Sequence, residues 1–425
     1  MLEEGRTYKG RGTYKLLGKE YETNFEIEQI GIRWYIYGVE VSFEYKHPKK
    51  STTLTIKGDL EDNTIPIFII ISEDRNIRGN VLEAEVDELK IGEVDNLTQV
   101  STQLYGVYLS SKISFNSGDI KIQIQPTSTS IKDAKKVFRG NGCISKGNIL
   151  TIEGDNLEIE QVNNIIGKVC ILLTSISFSN VVFGHLNINE DEGIVIPKKK
   201  MKYTSDISFS YAVMDSTPNL EEFFKEAFPK YLSLSKELES IVFNISYALM
   251  VSSSTLYQES RMFELISCFE GISKDLNLNK GYDEDYHALR KKEIKEIKPK
   301  LKEVLAEELK DSIFTEEEQK ILSNNLNRLS YIQEQFKRTL TKHLKNKGWE
   351  INLNLEDIKE IRDSLAHSAR FPKGFTAEQK HNYIISLQQI LFITILDILE
   401  IDVMIQFHDQ EGWRNFGKKE LLKKC

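Results

Sequence analysis

The sequence contains few cysteines and no arrangement of them that is typical of a metal or redox site. Four cysteines, Cys143, Cys170, Cys268 and Cys425, are scattered over 425 residues. None belongs to a Cys-x-x-Cys pair, and none lies near a histidine at the spacing of zinc ligands. We therefore expect free thiols in a reducing cytoplasm, with no disulfide framework and no metal site.

The chain also lacks a surplus of positive charge. It carries 56 lysines and arginines against 64 aspartates and glutamates, a net charge of −8. Because phosphate binding depends on cations, this balance argues against a general nucleic-acid coat protein, although a local basic site on an acidic body remains possible. The hydrophobic content of 40% is ordinary for a globular protein. The length suffices for two to three domains.

Long apolar runs are missing as well. The N-terminus, Met1–Arg6, has no apolar core of the kind that a secretory signal needs. The strongest candidate for a membrane span is Tyr383–Met404, which five polar residues interrupt: Gln388, Gln389, Asp397, Glu400 and Asp402. This pattern predicts a buried helix and a cytoplasmic protein that does not contact the membrane. No internal repeat and no low-complexity tract is present.

The first half of the chain has the pattern of β-strands. Apolar and polar residues alternate in several segments, as expected of half-buried strands. These segments are Tyr21–Glu28, Ile32–Tyr45, Thr52–Ile56, Val107–Phe115 and Ile120–Ile124. The run Ile65–Ile71 is apolar on both faces, which predicts a central strand. Many short strands without long helical intervals predict an antiparallel sandwich-like domain, or alternatively a closed sheet, that ends near Val195.

The composition changes at the basic stretch Pro197–Lys202, which we interpret as a linker followed by one more strand, Asp206–Val213. From Thr217 onward the spacing of apolar residues is helical. Helices are predicted at Leu220–Phe228, Leu232–Val251, Thr255–Leu276, Tyr286–Leu309, Glu316–Lys345, Leu355–Ala369 and Ala377–Gln406. In the third of these, five residues form a core stripe: Met262, Leu265, Ile266, Phe269 and Ile272. The sequence thus predicts an α+β multidomain protein, with a β-rich domain at 1–214 and an all-α helical bundle at 215–425.

The chemically most informative segment is Ile361–His367, about two turns of predicted helix. Arginine holds phosphate through a charged planar fork, and histidine transfers protons near neutral pH. Arg362 and His367 are five positions apart, about 140° around a helix, so they do not share one narrow face. Asp363 and His367 are four apart and can stack and hydrogen bond, which would orient the imidazole. The combination indicates phosphodiester chemistry without a metal.

Two other interpretations of this segment stay open from the residues alone: a chance occurrence of a short motif, and a buried structural ion pair. The spacing Arg-x4-His is short and occurs a second time at Arg338 and His343, where a solvated basic helix end is the better explanation. The copy at 362–367 can also be a buried structural ion pair. An apolar stripe and two small residues distinguish this copy, because they would permit another helix to approach closely. They are Ile358, Ile361 and Leu365, with Ala366 and Ala369.

The helical half resembles the HEPN domain of ApeA-like anti-phage proteins in two stretches. Arg261–Ile272 is similar to an early helix of that family, in which an apolar run ends in a glutamate, here Glu270. Asp357–Ser368 resembles the family's Arg-x4-6-His helix. The residue after the arginine is commonly asparagine in the family, and this chain has Asp363 instead. A β-rich half ahead of the helical domain also fits the ApeA-like layout.

This resemblance implies a metal-independent endoribonuclease that needs no cofactor, works as a homodimer or a higher even oligomer, and acts in abortive infection. It implies that Arg362 and His367 are the catalytic pair, with Asp363 and Glu270 as auxiliary residues. For Glu270, a structural carboxylate is an equally good interpretation. The substrate would be RNA, and the N-terminal half would sense a trigger, for which a phage-derived molecule is a candidate. The alternative is a catalytically silent helical dimer whose β domain binds a protein or a glycan.

Overall fold

The computed structural model of the protein describes residues 5–16, 19–30, 33–41, 53–60, 65–71, 75–78, 81–92, 97–109, 111–127, 148–189, 193–196, 212–214, 218–253, 257–275, 284–310, 315–320, 344, 347–348, 354–402, 405–409 and 412–416. The predicted linker Pro197–Lys202 and most of the predicted helix Glu316–Lys345 lie outside these residues. So do Cys143, Cys425 and the second Arg-x4-His copy at Arg338 and His343.

The described strands β1 to β18 are, in chain order, Thr7–Leu16, Lys19–Ile30, Arg33–Glu40, Leu54–Leu60, Ile65–Ile71, Arg75–Arg78, Val81–Glu85, Glu88–Gly92, Leu97–Tyr105, Val107–Leu109, Ile113–Ser117, Ile120–Pro126, Asn148–Leu157, Val182–Ile188, Gly193–Ile196, Ala212–Met214, Ile405–Asp409 and Gly412–Phe416. The described helices, here α1 to α7, are Ile159–Ser177, Pro218–Leu232, Lys236–Ser252, Gln258–Asp275, Glu284–Glu308, Leu355–Ser368 and Ala377–Ile398.

Fourteen of these strands form one antiparallel sheet in the order β11-β12-β13-β9-β14-β15-β8-β5-β4-β1-β2-β3-β7-β6. The alternation predicted for Tyr21–Glu28 is confirmed, since Phe25 and Ile27 are buried while their neighbours are more exposed. Strand β5 lies between β4 and β8, which confirms the central strand predicted at Ile65–Ile71. The coarse α+β prediction is confirmed. The strands form one continuous sheet, however, instead of the two facing sheets of a sandwich.

Part of this sheet closes on itself. Strands β7 and β8 are separated by only two residues, yet β7 pairs with β3 and β8 pairs with β5. The two linking residues, Val86 and Asp87, continue both pairings. Val86 N–H donates to Trp34 O at 2.8 Å, and Asp87 N–H donates to Ile70 O at 2.9 Å. Residues 81–92 therefore act as one bent strand that joins β3 to β5. The ring β1-β2-β3-(β7β8)-β5-β4 corresponds to the closed-sheet alternative of the sequence prediction.

A single hydrophobic cluster from the ring strands fills the space that they enclose. Its largest fully buried side chains are Trp34, Tyr14, Phe25, Ile27, Ile36 and Leu54. Period-two burial explains why the same strands alternate in sequence, since every second side chain points into the ring. The closed sheet is thus a packed structural core.

Glycines permit the close approach of β1 and β4 in this ring. Gly12 and Gly58 face each other in the register of the two strands. A Cβ atom at Gly58 would lie 1.9 Å from the Arg11 carbonyl oxygen and 2.5 Å from the Gly12 Cα, and both are backbone atoms that cannot swing away. The strand pairing therefore requires glycine at position 58.

We expect Gly58→Ala to destabilise the protein by about 2 kcal/mol or more, because overpacking against backbone must separate β1 from β4. Differential scanning calorimetry of the purified variant should show a lower unfolding temperature. Gly167→Ala on α1 is the matched control, since no atom lies within 4 Å of its added Cβ. Alanine is a better helix former than glycine, so the control should be neutral or stabilising. Equal melting temperatures for wild type and Gly58→Ala would contradict the argument.

Helix α1 corrects the sequence prediction, which contained no helix before residue 217. It follows β13 directly and buries one face against the sheet-containing part of the chain. Its buried apolar residues are Val162, Ile165, Ile166, Val169, Cys170, Leu172 and Leu173. Helix α2 covers β11 through Phe224 and Phe228, whose rings lie 5.1 and 5.2 Å from the Phe115 ring. These two helices therefore pack against the part of the sheet that contains β9, β11, β13 and β14.

The chain folds as two compact units. The first contains residues 1–257 and 391–420, which include the large sheet and helices α1 to α3. The second contains residues 258–390 and 421–425, which include α4, α5, α6 and the first part of α7. These units describe packing alone, so the functional division into domains 1–214 and 215–425 stays a prediction. None of the described helices is long and apolar enough to cross a membrane.

The core of the second unit contains the stripe predicted on α4. Met262, Leu265, Ile266, Phe269 and Ile272 are all buried, which confirms that prediction. The helix predicted at Ala377–Gln406 is wrong at its end, because α7 stops at Ile398 and Ile405 and Gln406 belong to the hairpin β17–β18. The helical part of the chain is therefore not all-α.

Candidate active site

Helix α6 carries the predicted motif and is held firmly along one face. Asn354 caps its start, since the Asn354 side chain accepts a hydrogen bond from the Glu356 N–H at 3.0 Å. Three apolar residues at spacings of three and four are buried within the same chain: Ile358, Ile361 and Leu365. The apolar stripe that the sequence predicts for the close approach of another helix is therefore buried within one chain. Because they are already buried, only exposed residues of α6 can form such a contact.

The end of α6 is fixed directly after the histidine. Ala369 adopts a left-handed conformation, with φ of 53°, and its N–H donates to Leu365 O at 3.0 Å. The Ser364 hydroxyl donates to Arg370 O at 2.8 Å, and the Ser368 hydroxyl donates to Ser364 O at 2.7 Å. These contacts provide hydrogen-bond donors for backbone carbonyl groups that have no helical partner at the end of a helix. His367 therefore lies in the last turn of a helix whose end is well defined.

Three of the four predicted site residues form one cluster. Arg362 Nε donates to Glu270 Oε1 at 2.9 Å, which joins α6 to α4. Arg362 Nη1 donates to Asp363 Oδ1 at 3.2 Å. The side chains of Arg362, Glu270 and Asp363 are 33%, 40% and 48% exposed. The guanidinium is thus half-buried between two carboxylates at the surface of the second unit.

The two carboxylates affect the protonation of the arginine. Partial burial lowers the pKa of the Arg362 guanidinium, but hydrogen bonds and attraction from Glu270 and then Asp363 outweigh it and raise the pKa above its ordinary value. Arg362 therefore keeps its positive charge at any physiological pH. A fixed cation of this kind suits the binding of a phosphate oxygen.

His367 lies apart from this cluster. It is exposed, and among the described residues none hydrogen bonds to its imidazole. The predicted hydrogen bond between Asp363 and His367 is not present, because Asp363 pairs with Arg362 instead. Helix geometry separates Arg362 and His367 by about 7.5 Å along the axis and about 140° around it. A single copy of α6 therefore presents the arginine and the histidine in different directions.

A contact that the sequence did not reveal holds α6 from its other flank. The Tyr383 hydroxyl on α7 donates to Asp357 Oδ2, and the Tyr383 ring lies 6.0 Å from that of Phe375. Burial, followed by the hydrogen bond to Asp357 and its charge, raises the pKa of the Tyr383 hydroxyl. The phenol is therefore a neutral hydrogen-bond donor. Together with Glu270 on α4, it fixes α6 on both sides of the buried stripe.

The described residues contain no group of three histidine, cysteine, aspartate or glutamate side chains that could hold a metal ion. Cys170 and Cys268 are free thiols. Burial raises the pKa of the Cys268 thiol to about 12, with a smaller contribution from Glu264, so this thiol is not a reactive nucleophile.

Comparison of the chain with protein-family models, with curated proteins and with solved structures gives no significant match. The resemblance to ApeA-like HEPN proteins and the roles of the four site residues therefore stay predictions.

Proposed function

We propose that the protein is a metal-independent endoribonuclease of the HEPN type that acts in the cytoplasm in anti-phage defence, through abortive infection. The observation that carries the proposal is the half-buried Arg362, whose raised pKa keeps it positively charged, with an exposed histidine five residues later on the same helix. Both residues of the motif are accessible to a large substrate, although in different degrees. A purely structural ion pair would not require the exposed His367.

Each residue supports a defined step of the proposed reaction. His367 would accept the proton of a ribose 2′-hydroxyl, whose oxygen attacks the adjacent phosphorus. Arg362 would stabilise the negative charge that develops on the phosphate oxygens. The bond from phosphorus to the 5′-oxygen breaks, and the leaving oxygen takes a proton. The products are a 2′,3′-cyclic phosphate and a 5′-hydroxyl end.

The different directions of Arg362 and His367 favour a site composed of two chains. If two α6 helices meet across a two-fold axis, two arginines and two histidines can surround one phosphate. Ala366 and Ala369 are exposed beside His367 and are small enough for close approach. The N-terminal sheet would sense the trigger of the defence response. We propose a homodimer or a higher even oligomer as the active form.

We expect cleavage of single-stranded RNA by the purified protein to persist in excess EDTA and to leave 2′,3′-cyclic phosphate ends. A histidine that activates the 2′-hydroxyl makes a metal unnecessary for this step. The ends can be identified by their resistance to phosphatase until acid opens the ring. Loss of cleavage on chelation that magnesium or manganese restores would show that carboxylates bind a catalytic metal instead. A complete absence of cleavage would favour the binding-module alternative.

A further inference from the structure

The ion pair between Arg362 and Glu270 conflicts with the task that the proposed function gives to the arginine. A guanidinium binds phosphate best through two parallel N–H groups along one edge. One such edge consists of Nε and Nη2, and Glu270 Oε1 already accepts from Nε at 2.9 Å. Asp363 Oδ1 accepts from Nη1 on the other side. In this conformation the arginine cannot offer the Nε edge to RNA.

The charges around Arg362 also oppose the binding of a phosphate in this conformation. Two carboxylates next to one guanidinium leave a net negative charge of one at the place where a phosphate must approach. Charges separated by less than the Debye length, about 8 Å at physiological ionic strength, are only partly screened. An incoming phosphate is therefore repelled by Glu270 and Asp363 before it reaches Arg362.

Only one of the two carboxylates lies on a separate helix. Asp363 follows Arg362 directly and moves with it, whereas Glu270 is on α4 and is 92 residues away in sequence. A small shift of α4 relative to α6 is enough to remove Glu270 from the guanidinium while Asp363 stays. The pair is also 33% and 40% exposed, so water can replace the lost contact at low cost.

We infer that Glu270 is an autoinhibitory residue: its carboxylate occupies the Nε edge of the Arg362 guanidinium, one of the edges through which an RNA phosphate can be bound, while Asp363 already engages Nη1 of the other edge. This inference rests on the proposed ribonuclease function and adds its regulation. The resting protein holds Arg362 in the autoinhibitory ion pair with Glu270. Binding of RNA requires that this ion pair opens, and displacement of α4 by a trigger would favour the open state.

The test measures RNA binding separately from cleavage. In a His367→Ala background, which removes the proposed proton acceptor, fluorescence anisotropy of a labelled single-stranded RNA gives the dissociation constant at fixed salt. We expect Glu270→Gln in this background to bind RNA roughly twofold to fivefold more tightly, the range that corresponds to loss of one partly exposed ion pair. With His367 present, the same change should accelerate cleavage at subsaturating RNA.

Glu259→Gln is the matched control, because Glu259 is on the same helix and forms an ion pair with Lys380 at 3.8 Å. It removes an equal charge from α4 but leaves Arg362 untouched, so RNA affinity should stay unchanged. A second measurement does not use RNA: phenylglyoxal modification of Arg362, followed by mass spectrometry, should be faster in Glu270→Gln than in wild type. Thermal melting establishes that each variant is folded.

The outcomes separate the two proposals. Unchanged or weaker RNA binding in Glu270→Gln, combined with loss of binding in Arg362→Ala, would overturn the autoinhibitory role and leave the ribonuclease function standing. Such a result would make Glu270 a residue that positions the arginine. If neither wild type nor any variant binds RNA, the proposed function fails, and the autoinhibitory role fails with it. Tighter binding in Glu270→Gln and not in Glu259→Gln supports the inference.

Discussion

Replacing either His367 or Arg362 with alanine is expected to reduce RNA cleavage by at least about two to three orders of magnitude. Proton transfer and charge stabilisation are each typically worth that much in rate. Neither change should unfold the protein. His367 is exposed in the last helical turn, and a partly exposed ion pair such as Arg362–Glu270 contributes about 0 to 1 kcal/mol to stability. Gel assays of RNA cleavage under single-turnover conditions, alongside thermal melts, measure both quantities.

Arg338→Ala and His343→Ala are the controls for this prediction, because they remove the same residue types at the same spacing from a segment to which we assign no chemistry. Both should keep wild-type activity. The same four variants can be compared in cells, where only the changes at 362 and 367 should relieve growth arrest during infection. Normal cleavage by purified His367→Ala would show that the histidine is not the proton acceptor, whatever the role of Arg362.

The pattern of alternation predicted several strands of the ring, because burial inside the ring has a period of two. Phe25, Ile27, Ile67 and Ile69 point to the enclosed core, and their neighbours do not. The closure itself was not predictable in the same way. It depends on Val86 and Asp87 continuing one strand from β3 to β5, and such long-range pairing leaves no local signal. Sequence patterns therefore predicted several of the strands but not their order, and the single strand predicted at Val107–Phe115 is divided between β10 and β11.

Helix α1 was missed although its signal is present. Val162, Ile165, Ile166 and Val169 follow the spacing of an amphipathic helix, but they lie among segments whose alternating residues favour strands. Helix ends are a different problem. Three helices are followed by a non-glycine residue with positive φ, at Phe178, Ala369 and Glu400. Glycine normally marks such positions, so the end of α7 near Glu400 had no signal in the sequence.

The candidate site was predictable in its members but not in its contacts. Arg362, Asp363 and Glu270 were all singled out, yet local spacing suggested that Asp363 would pair with His367. In the structure Asp363 instead accepts a hydrogen bond from Arg362 Nη1. The Arg362 Nε atom donates to Glu270 Oε1 on α4 at 2.9 Å. That contact joins residues 92 positions apart and follows from helix packing, which the sequence does not specify locally.

The arrangement of α6 leads to a prediction about assembly. Ile358, Ile361 and Leu365 are buried within one chain, so a second α6 can approach only the exposed face, which contains Ala366, His367 and Ala369. We expect Ala369→Trp to weaken both association and cleavage, each by at least about tenfold, because a large side chain would separate the two histidines. Analytical ultracentrifugation and cleavage rates measured over a range of protein concentrations test this expectation.

Ala369→Gly is the control at the same position. Ala369 has a φ of 53°, where glycine is not strained, so this change should keep association and cleavage and stabilise the fold by up to about 1 kcal/mol. A loss of activity in Ala369→Trp without a loss of association would show that the tryptophan acts within one chain and does not disrupt the contact between chains. A protein that stays monomeric and is fully active at nanomolar concentration would refute the composite site, because one copy of α6 directs Arg362 and His367 about 140° apart. The ribonuclease proposal would then require a second proton acceptor near Arg362.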